Sequence, residues 1–202
     1  MTAPASHYFA PAPGAPARLR LVRFQDGGRQ FHFRTAAGVF SREAVDRGTR
    51  LLLEAVNPAG ADLILDLGCG YGVVGIVVAA RAPRARVVLV DINPRAVELA
   101  AENIRLNAVP NAEARCGDGC APVAGLEFDL ILCNPPIRAG RSVVMRLLGE
   151  AHACLHRQGR LYLVARTGQG ARTLARLMGG LYGRVTEVER GGGFRVYEAS
   201  DV

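Results

Sequence analysis

The spacing of apolar residues changes along this chain, and the changes divide it into elements. Between residues 18 and 35, RLRLVRFQDGGRQFHFRT alternates polar with apolar on both sides of Asp26-Gly27-Gly28, the pattern of a β-hairpin with a tight glycine turn. Leu19, Leu21, Phe31 and Phe33 are expected to face a core, with the arginines facing outward. SREAVDRGTRLLLEAV (41–56) then reads as a helix with Ser41 as its N-cap. From Asp62 onward the period alternates between strand and helix. ADLILDLG is followed by a helix through GIVVAARA, then the strand ARVVLVD, the helix NPRAVELAAENIRLNA and the strands AEARCGD and FDLILCNPP. A helix near 141–156, the strand GRLYLVAR, a helix near 170–182 and the strands GRVTEVER and FRVYEA complete the chain. Asn93 as N-cap with Pro94 at the first helical position marks one helix start. Such alternation predicts a doubly wound α/β fold. Its sheet has seven mostly parallel strands, one of them antiparallel because the last two are joined only by a short glycine link.

Length and composition narrow the picture. With 202 residues and 50% hydrophobic content, the chain can bury a full core in one domain. Residues 1–17 are rich in alanine and proline and read as a flexible lead-in. Residues 18–60 form a basic hairpin and helix, and 61–202 the main α/β unit. No apolar run is long enough for a membrane span, and the N-terminus lacks a basic-then-apolar leader pattern. Five cysteines scattered through apparent core elements suit a reducing compartment, so a cytoplasmic location without membrane attachment is expected. All 25 basic residues are arginine and the net charge is +7. Lysine chemistry is therefore excluded. Between Arg18 and Arg50, eight arginines face Asp26, Glu43 and Asp46, a local net of +5. That concentration fits a nucleic-acid footprint and equally a solvated basic surface.

In doubly wound sheets ligands bind outside the carboxyl ends of the strands, so the chemistry is read there. The first of these strands ends in LDLGCGYGVVG, where Gly68, Gly70 and Gly72 would let the backbone approach a ligand. The second ends in Asp91, placed to accept hydrogen bonds from a ribose diol. The third ends in CGDG, with Asp118. The fourth is FDLIL followed by CNPPIRAG: two prolines end the pairing and leave Asn134 at the tip. Three carboxylates and an amide are thus expected around one cleft. GYGVVG (Gly70 to Gly75) matches a dinucleotide fingerprint, but Asp66 just before the loop would repel a pyrophosphate and attract an α-amino group. S-adenosyl-L-methionine (SAM), with an amino-acid end, a ribose, an adenine and no phosphate, suits the series better. An NAD-binding oxidoreductase is a distant alternative.

LDLGCGYGVVG, VDINPRAVELAAENIRLN and NPPIRAG resemble the class I SAM-dependent methyltransferases, which share a Rossmann-like fold. The match is with the methyltransferase small-domain group that includes bacterial small-subunit rRNA guanine-N2 methyltransferases, and AGVFSREAVDRGTRLLLEAV extends it toward the N-terminus. The resemblance implies that Asp66, Gly68, Cys69, Gly70, Asp91, Ile92 and Asn134 hold the cofactor, with Asp118 near the adenine. It makes Asn134, Pro135, Pro136 and Ile137 the catalytic motif. The Asn134 and Pro135 carbonyls would accept the two N–H bonds of an exocyclic guanine amine. That would favour a tetrahedral nitrogen with its lone pair aimed at the methyl group. Many amino methyltransferases carry an aromatic at the fourth motif position; here it is Ile137. Phe40 and Tyr8 are therefore candidates to stack on the base, and Arg138 and Arg141 to meet RNA phosphates. The implied activity is methylation of small-subunit rRNA at guanine N2, with the ribosomal subunit or its rRNA as partner. Glutamine-amide methylation of a protein and a non-catalytic RNA-binding subunit are the alternatives. The pair His152 and His156, at i and i+4 of one expected helix, and the pair Cys116 and Cys120 lack the further ligands of a metal site, so no metal is expected.

Overall fold

The computed structural model describes residues 19–39 and 44–201, with the side chain of Arg138 outside what is described. Tyr8, Phe40, Ser41 and the 1–17 lead-in also lie outside the described residues. Strands β1 (Arg20–Asp26) and β2 (Arg29–Thr35) form the hairpin, with Asp26 opposite Arg29 across the two-glycine turn. That register puts Val22 opposite Phe33 and Phe24 opposite Phe31, and these four are the buried residues. Leu19 and Leu21 are on the other face, each 55% exposed, contrary to the expected inward orientation. The Arg-Leu alternation changes parity at Leu21-Val22, and cross-strand pairing with the two phenylalanines decides the face.

Helix α1 (Arg47–Ala55) begins later than the pattern implied, because Ala44, Val45 and Asp46 are not helical. Asp46 is its N-cap, accepting from the Gly48 and Thr49 N–H groups at 2.9 and 3.2 Å. The main sheet follows, with β3 (Leu63–Leu67), α2 (Val73–Arg81), β4 (Arg86–Asp91), α3 (Pro94–Leu106), β5 (Ala112–Cys116) and β6 (Phe128–Cys133). It continues through α4 (Arg141–Ala153), β7 (Leu155–Arg166), α5 (Ala171–Met178), β8 (Arg184–Gly191) and β9 (Phe194–Ser200). Strand order is β5-β4-β3-β6-β7-β9-β8, and β9 alone runs antiparallel, paired on both sides. Asn93 caps α3 as expected, accepting from the Arg95 N–H at 3.1 Å.

The central strands are apolar on both faces because both are covered. Ile64, Leu130 and Leu132 join the core beneath α1, α2, α3 and the hairpin. Leu65, Leu67, Ile131 and Cys133 join the core beneath α4 and α5. β7 is longer than expected at its start, so His156 is a strand residue and does not share α4 with His152. The extension is possible because the β6–β7 register shifts between Phe128 and Leu130. There Gly159 passes so close that a Cβ would lie 2.7 Å from the Phe128 carbonyl. The hairpin is bound to the main unit by side chains of α3. Asn103 accepts from the Arg34 N–H at 2.7 Å and donates to the Arg34 carbonyl at 2.9 Å, while Asn107 does the same for His32 at 2.9 and 2.7 Å. Two amides one helical turn apart thus substitute for a neighbouring strand along the edge of β2.

Candidate functional site

Strand register brings the predicted residues to one level. Leu67 pairs with Val90 on one side and Cys133 on the other, so Gly68, Asp91 and Asn134 leave their strands together. Asp91 itself pairs with Cys116, two residues before Asp118. The strand order reverses between β3 and β6, and a cavity of about 700 Å³ opens there, lined by Asp66, the Gly68–Tyr71 loop, Asp91, Ile92, Asp118 and the Asn134–Ile137 motif.

The glycine loop is a cradle. Gly68 and Gly70 have φ of +77° and +55°, and a Cβ at either would meet nothing within 4 Å, so backbone faces open space. Gly72, expected at the ligand, is a packing glycine: its Cβ would lie 3.0–3.2 Å from Ile76, Leu89 and Ala100. The Gly68 and Cys69 N–H groups are both held by the Val90 carbonyl, at 2.9 and 3.0 Å. Asp91 accepts from the Gly70 N–H at 2.8 Å and from the Asn93 N–H at 2.9 Å, each bond using one of its oxygens. Every carboxylate oxygen has a second lone pair, so both stay competent to accept from a ligand. Asp66 is buried and accepts from the Gly75 N–H at 2.8 Å. Its burial raises the carboxyl to about 7, the Gly75 bond opposes that rise, and the charge of Asp91 adds to it. Burial likewise pushes the Asp91 carboxyl up and the Cys69 thiol well up, so Cys69 is a neutral, close-fitting wall.

Asp118 lines the cavity with its side chain half exposed, held at 2.8 Å by Arg146 of α4, which also pairs with Glu150. Within the Asn-Pro-Pro motif, the Pro135 carbonyl already accepts from the Ile137 N–H at 2.8 Å across Pro136, whose φ of −74° and ψ of 74° make an inverse γ-turn. One lone pair of that carbonyl remains. Arg141 is exposed at the first position of α4 and is not in the cavity wall. Phe40 lies outside the described residues, as does the Arg138 side chain.

Several wall residues are not signalled by any motif. Asp46 and Thr49 enter from α1, and Asn134 Nδ2 donates to Thr49 Oγ1 at 3.2 Å. Arg166 and Phe194, paired across β7 and β9, close the side beyond Asn134, with the guanidinium 5.8 Å from the ring centroid. Phe194 also touches α1: a Cβ on Gly48 would lie 3.0 Å from its ring. The charge of the 18–50 stretch is partly engaged in the fold, since Arg29 lies over the Phe31 ring, Arg34 pairs with Glu102, and Arg50 lies over Phe24. Among the described residues no group of three His, Cys, Asp or Glu could hold a metal ion, and no helix is long and apolar enough to cross a membrane.

The family model of the methyltransferase small domain matches residues 30–198. The chain belongs to that family. These methyltransferases take their methyl group from SAM, which makes SAM the cofactor of this chain, and the cavity described above fits an amino acid, a ribose and a base laid across successive strand ends. An uncharacterized protein of Bacillus subtilis, YbxB, is 33% identical over 198 residues, 97% of this chain and 98% of that protein. The large-subunit ribosomal RNA methyltransferase G of Stutzerimonas stutzeri is 38% identical over 161 residues, 76% of this chain and 42% of its own length. Among solved structures, the Thermus thermophilus 16S rRNA N2 G1207 methyltransferase RsmC, in complex with AdoMet and guanosine, superposes with a TM-score of 0.82 at 27% identity. It covers 95% of this chain, which spans 53% of that protein. The chain is thus about half as long as the two named rRNA methyltransferases and as long as YbxB.

Proposed function

We propose that this methyltransferase acts on an exocyclic amine of a nucleobase in RNA, guanine N2 of ribosomal RNA, with the small subunit or its rRNA as partner. The observation that carries the reading is the place of Asn134. Its amide stands at the end of β6, in the same cavity as the SAM-binding strand ends, with Pro135 and its remaining lone pair beside it. The likeness to an enzyme solved with guanosine, over 95% of this chain, supports the base and the subunit. The relative named for the large subunit makes subunit choice an arm of the test.

When bound, SAM supplies an already activated methyl group, so the protein contributes positioning and electrostatics. The chain's own groups divide that work. Asp91 would accept from the ribose hydroxyls, Asp66 would face the cationic α-amino group, and Asp118 would border the adenine. Asn134 and Pro135 would accept the two amine N–H bonds, drawing the nitrogen lone pair out of conjugation with the ring. Phe194 would provide the aromatic surface absent at Ile137, and the basic 18–60 segment would meet the RNA backbone. The test incubates the protein with labelled SAM and, separately, naked small- and large-subunit rRNA, assembled subunits and a release-factor protein. Nucleosides from the digested RNA are then identified by mass spectrometry. The expected product is N2-methylguanosine from small-subunit RNA, lost in Asn134→Ala. Label confined to protein would replace the RNA reading with amide methylation, and label in large-subunit RNA would move the target.

A further inference from the structure

Beyond the motif residues, we infer that Asp46 and Thr49 are positioning residues that lock the Asn134 amide with its carbonyl turned toward the acceptor. The inference rests on the role proposed for Asn134, and it follows from counting protons. Thr49 has one hydroxyl proton, and its hydrogen bond runs to Asp46 Oδ2. The other oxygen of Asp46 accepts from the Gly48 and Thr49 N–H groups, so this carboxylate acts only as an acceptor. With its proton committed, Thr49 Oγ1 can only accept from Asn134, 3.2 Å away. The amide must therefore present Nδ2 to Thr49. Turned by 180°, it would set Oδ1 against Oγ1 with no proton between them. The nitrogen side is anchored on α1, and Oδ1 is left for the cavity that Asn134 lines.

The anchor is rigid for local reasons. Thr49 is buried and β-branched, which restricts its χ1 in a helix. A helical threonine commonly turns its hydroxyl to the carbonyl four residues back. Here that is the Val45 carbonyl, which accepts from Arg50 Nε at 3.1 Å. The N-cap of α1 thus has a second task, 85 residues away in sequence: it sets the tautomerically silent but chemically decisive orientation of an amide.

Three variants test this. Thr49→Val keeps the shape and the backbone bonds of the cap but removes the hydroxyl. Asp46→Asn keeps an N-cap but can donate to Thr49, freeing the hydroxyl proton to point at Asn134. Thr49→Ser restores the hydroxyl. Methyl transfer is measured at saturating RNA, with SAM binding measured separately by calorimetry. Loss of one positioned hydrogen bond predicts that kcat falls about tenfold or more in Thr49→Val and Asp46→Asn. SAM affinity should stay near wild type, and Thr49→Ser should recover most of the rate. Wild-type kcat in Thr49→Val overturns the inference, and so does an equal loss in Thr49→Ser. A second readout needs no substrate: the side-chain amide signals of Asn134 in a ¹⁵N spectrum, assigned by their loss in Asn134→Asp. One amide proton should be protected from exchange in the wild type and in Thr49→Ser, and exposed in Thr49→Val. Unprotected wild-type protons would sink the anchor itself. Protected protons with no methylation of any RNA would keep the anchor and overturn the proposed function instead.

Discussion

Asp66 is the residue whose charge state the fold changes most consequentially. It is buried at the end of β3, and desolvation raises its carboxyl to about 7 against the opposing Gly75 N–H. In the folded chain this group binds a proton more readily than in the unfolded chain. Its contribution to stability is therefore full below the unfolded value near 4 and is lost as pH rises through about 7. Asp91, also raised by burial, adds in the same direction, while burial keeps the neighbouring Cys133 thiol neutral throughout that window, at about 12. Denaturant titrations from pH 4 to 8 should show stability falling with pH in the wild type and a flatter profile in Asp66→Asn. An unchanged slope in the variant would assign the effect to Asp91. A cationic α-amino group favours ionised Asp66, so SAM affinity should rise as pH passes through 7 and lose that dependence in Asp66→Asn, read by calorimetry at pH 6 and 8.

At the scale of elements, the contact of α3 with the hairpin shows how polar side chains can hold two substructures together. Asn103 is fully buried and joins the Arg34 N–H, the Arg34 carbonyl and the Tyr71 carbonyl. Removing the amide strands these backbone groups, each worth roughly 1–3 kcal/mol when buried without a partner. Asn103→Ala should therefore destabilise the protein by about 2–4 kcal/mol in chemical denaturation, and Asn107→Ala by less, because Asn107 lies nearer the surface. An effect under 1 kcal/mol for Asn103→Ala would show that water replaces the amide at this edge. The same scale explains the hairpin faces. Alternation in RLRLVRF is ambiguous over a single strand, whereas the two-residue turn pairs Val22 and Phe24 with the phenylalanines of β2. Turn geometry resolved a choice that composition alone left to the leucines.

For the whole molecule, the decisive feature is the single antiparallel strand. By running against its neighbours, β9 brings its first residue, Phe194, to the level where the parallel strands end, opposite Arg166. An aromatic from the far end of the chain thereby reaches the cavity beside α1. If it stacks on the target base, Phe194→Ala should weaken RNA binding about tenfold, a typical loss for one stacked base, with SAM affinity unchanged and Phe194→Tyr near wild type. Equal RNA affinity in the alanine variant would leave the base to other walls. Local periodicity in the sequence was enough to order the strands and helices from Leu63 to Ser200 and to put Asp66, Gly68, Asp91, Asp118 and Asn134 at strand ends, because those are properties of a few adjacent residues. It could not place His156 in a strand, since the β6–β7 register shift that extends β7 is a contact between strands. Nor could it join Thr49 to Asn134 or Phe194 to Gly48. Those neighbours are created only when the sheet closes and α1 docks over it, and no short-range pattern records a contact that chain topology makes.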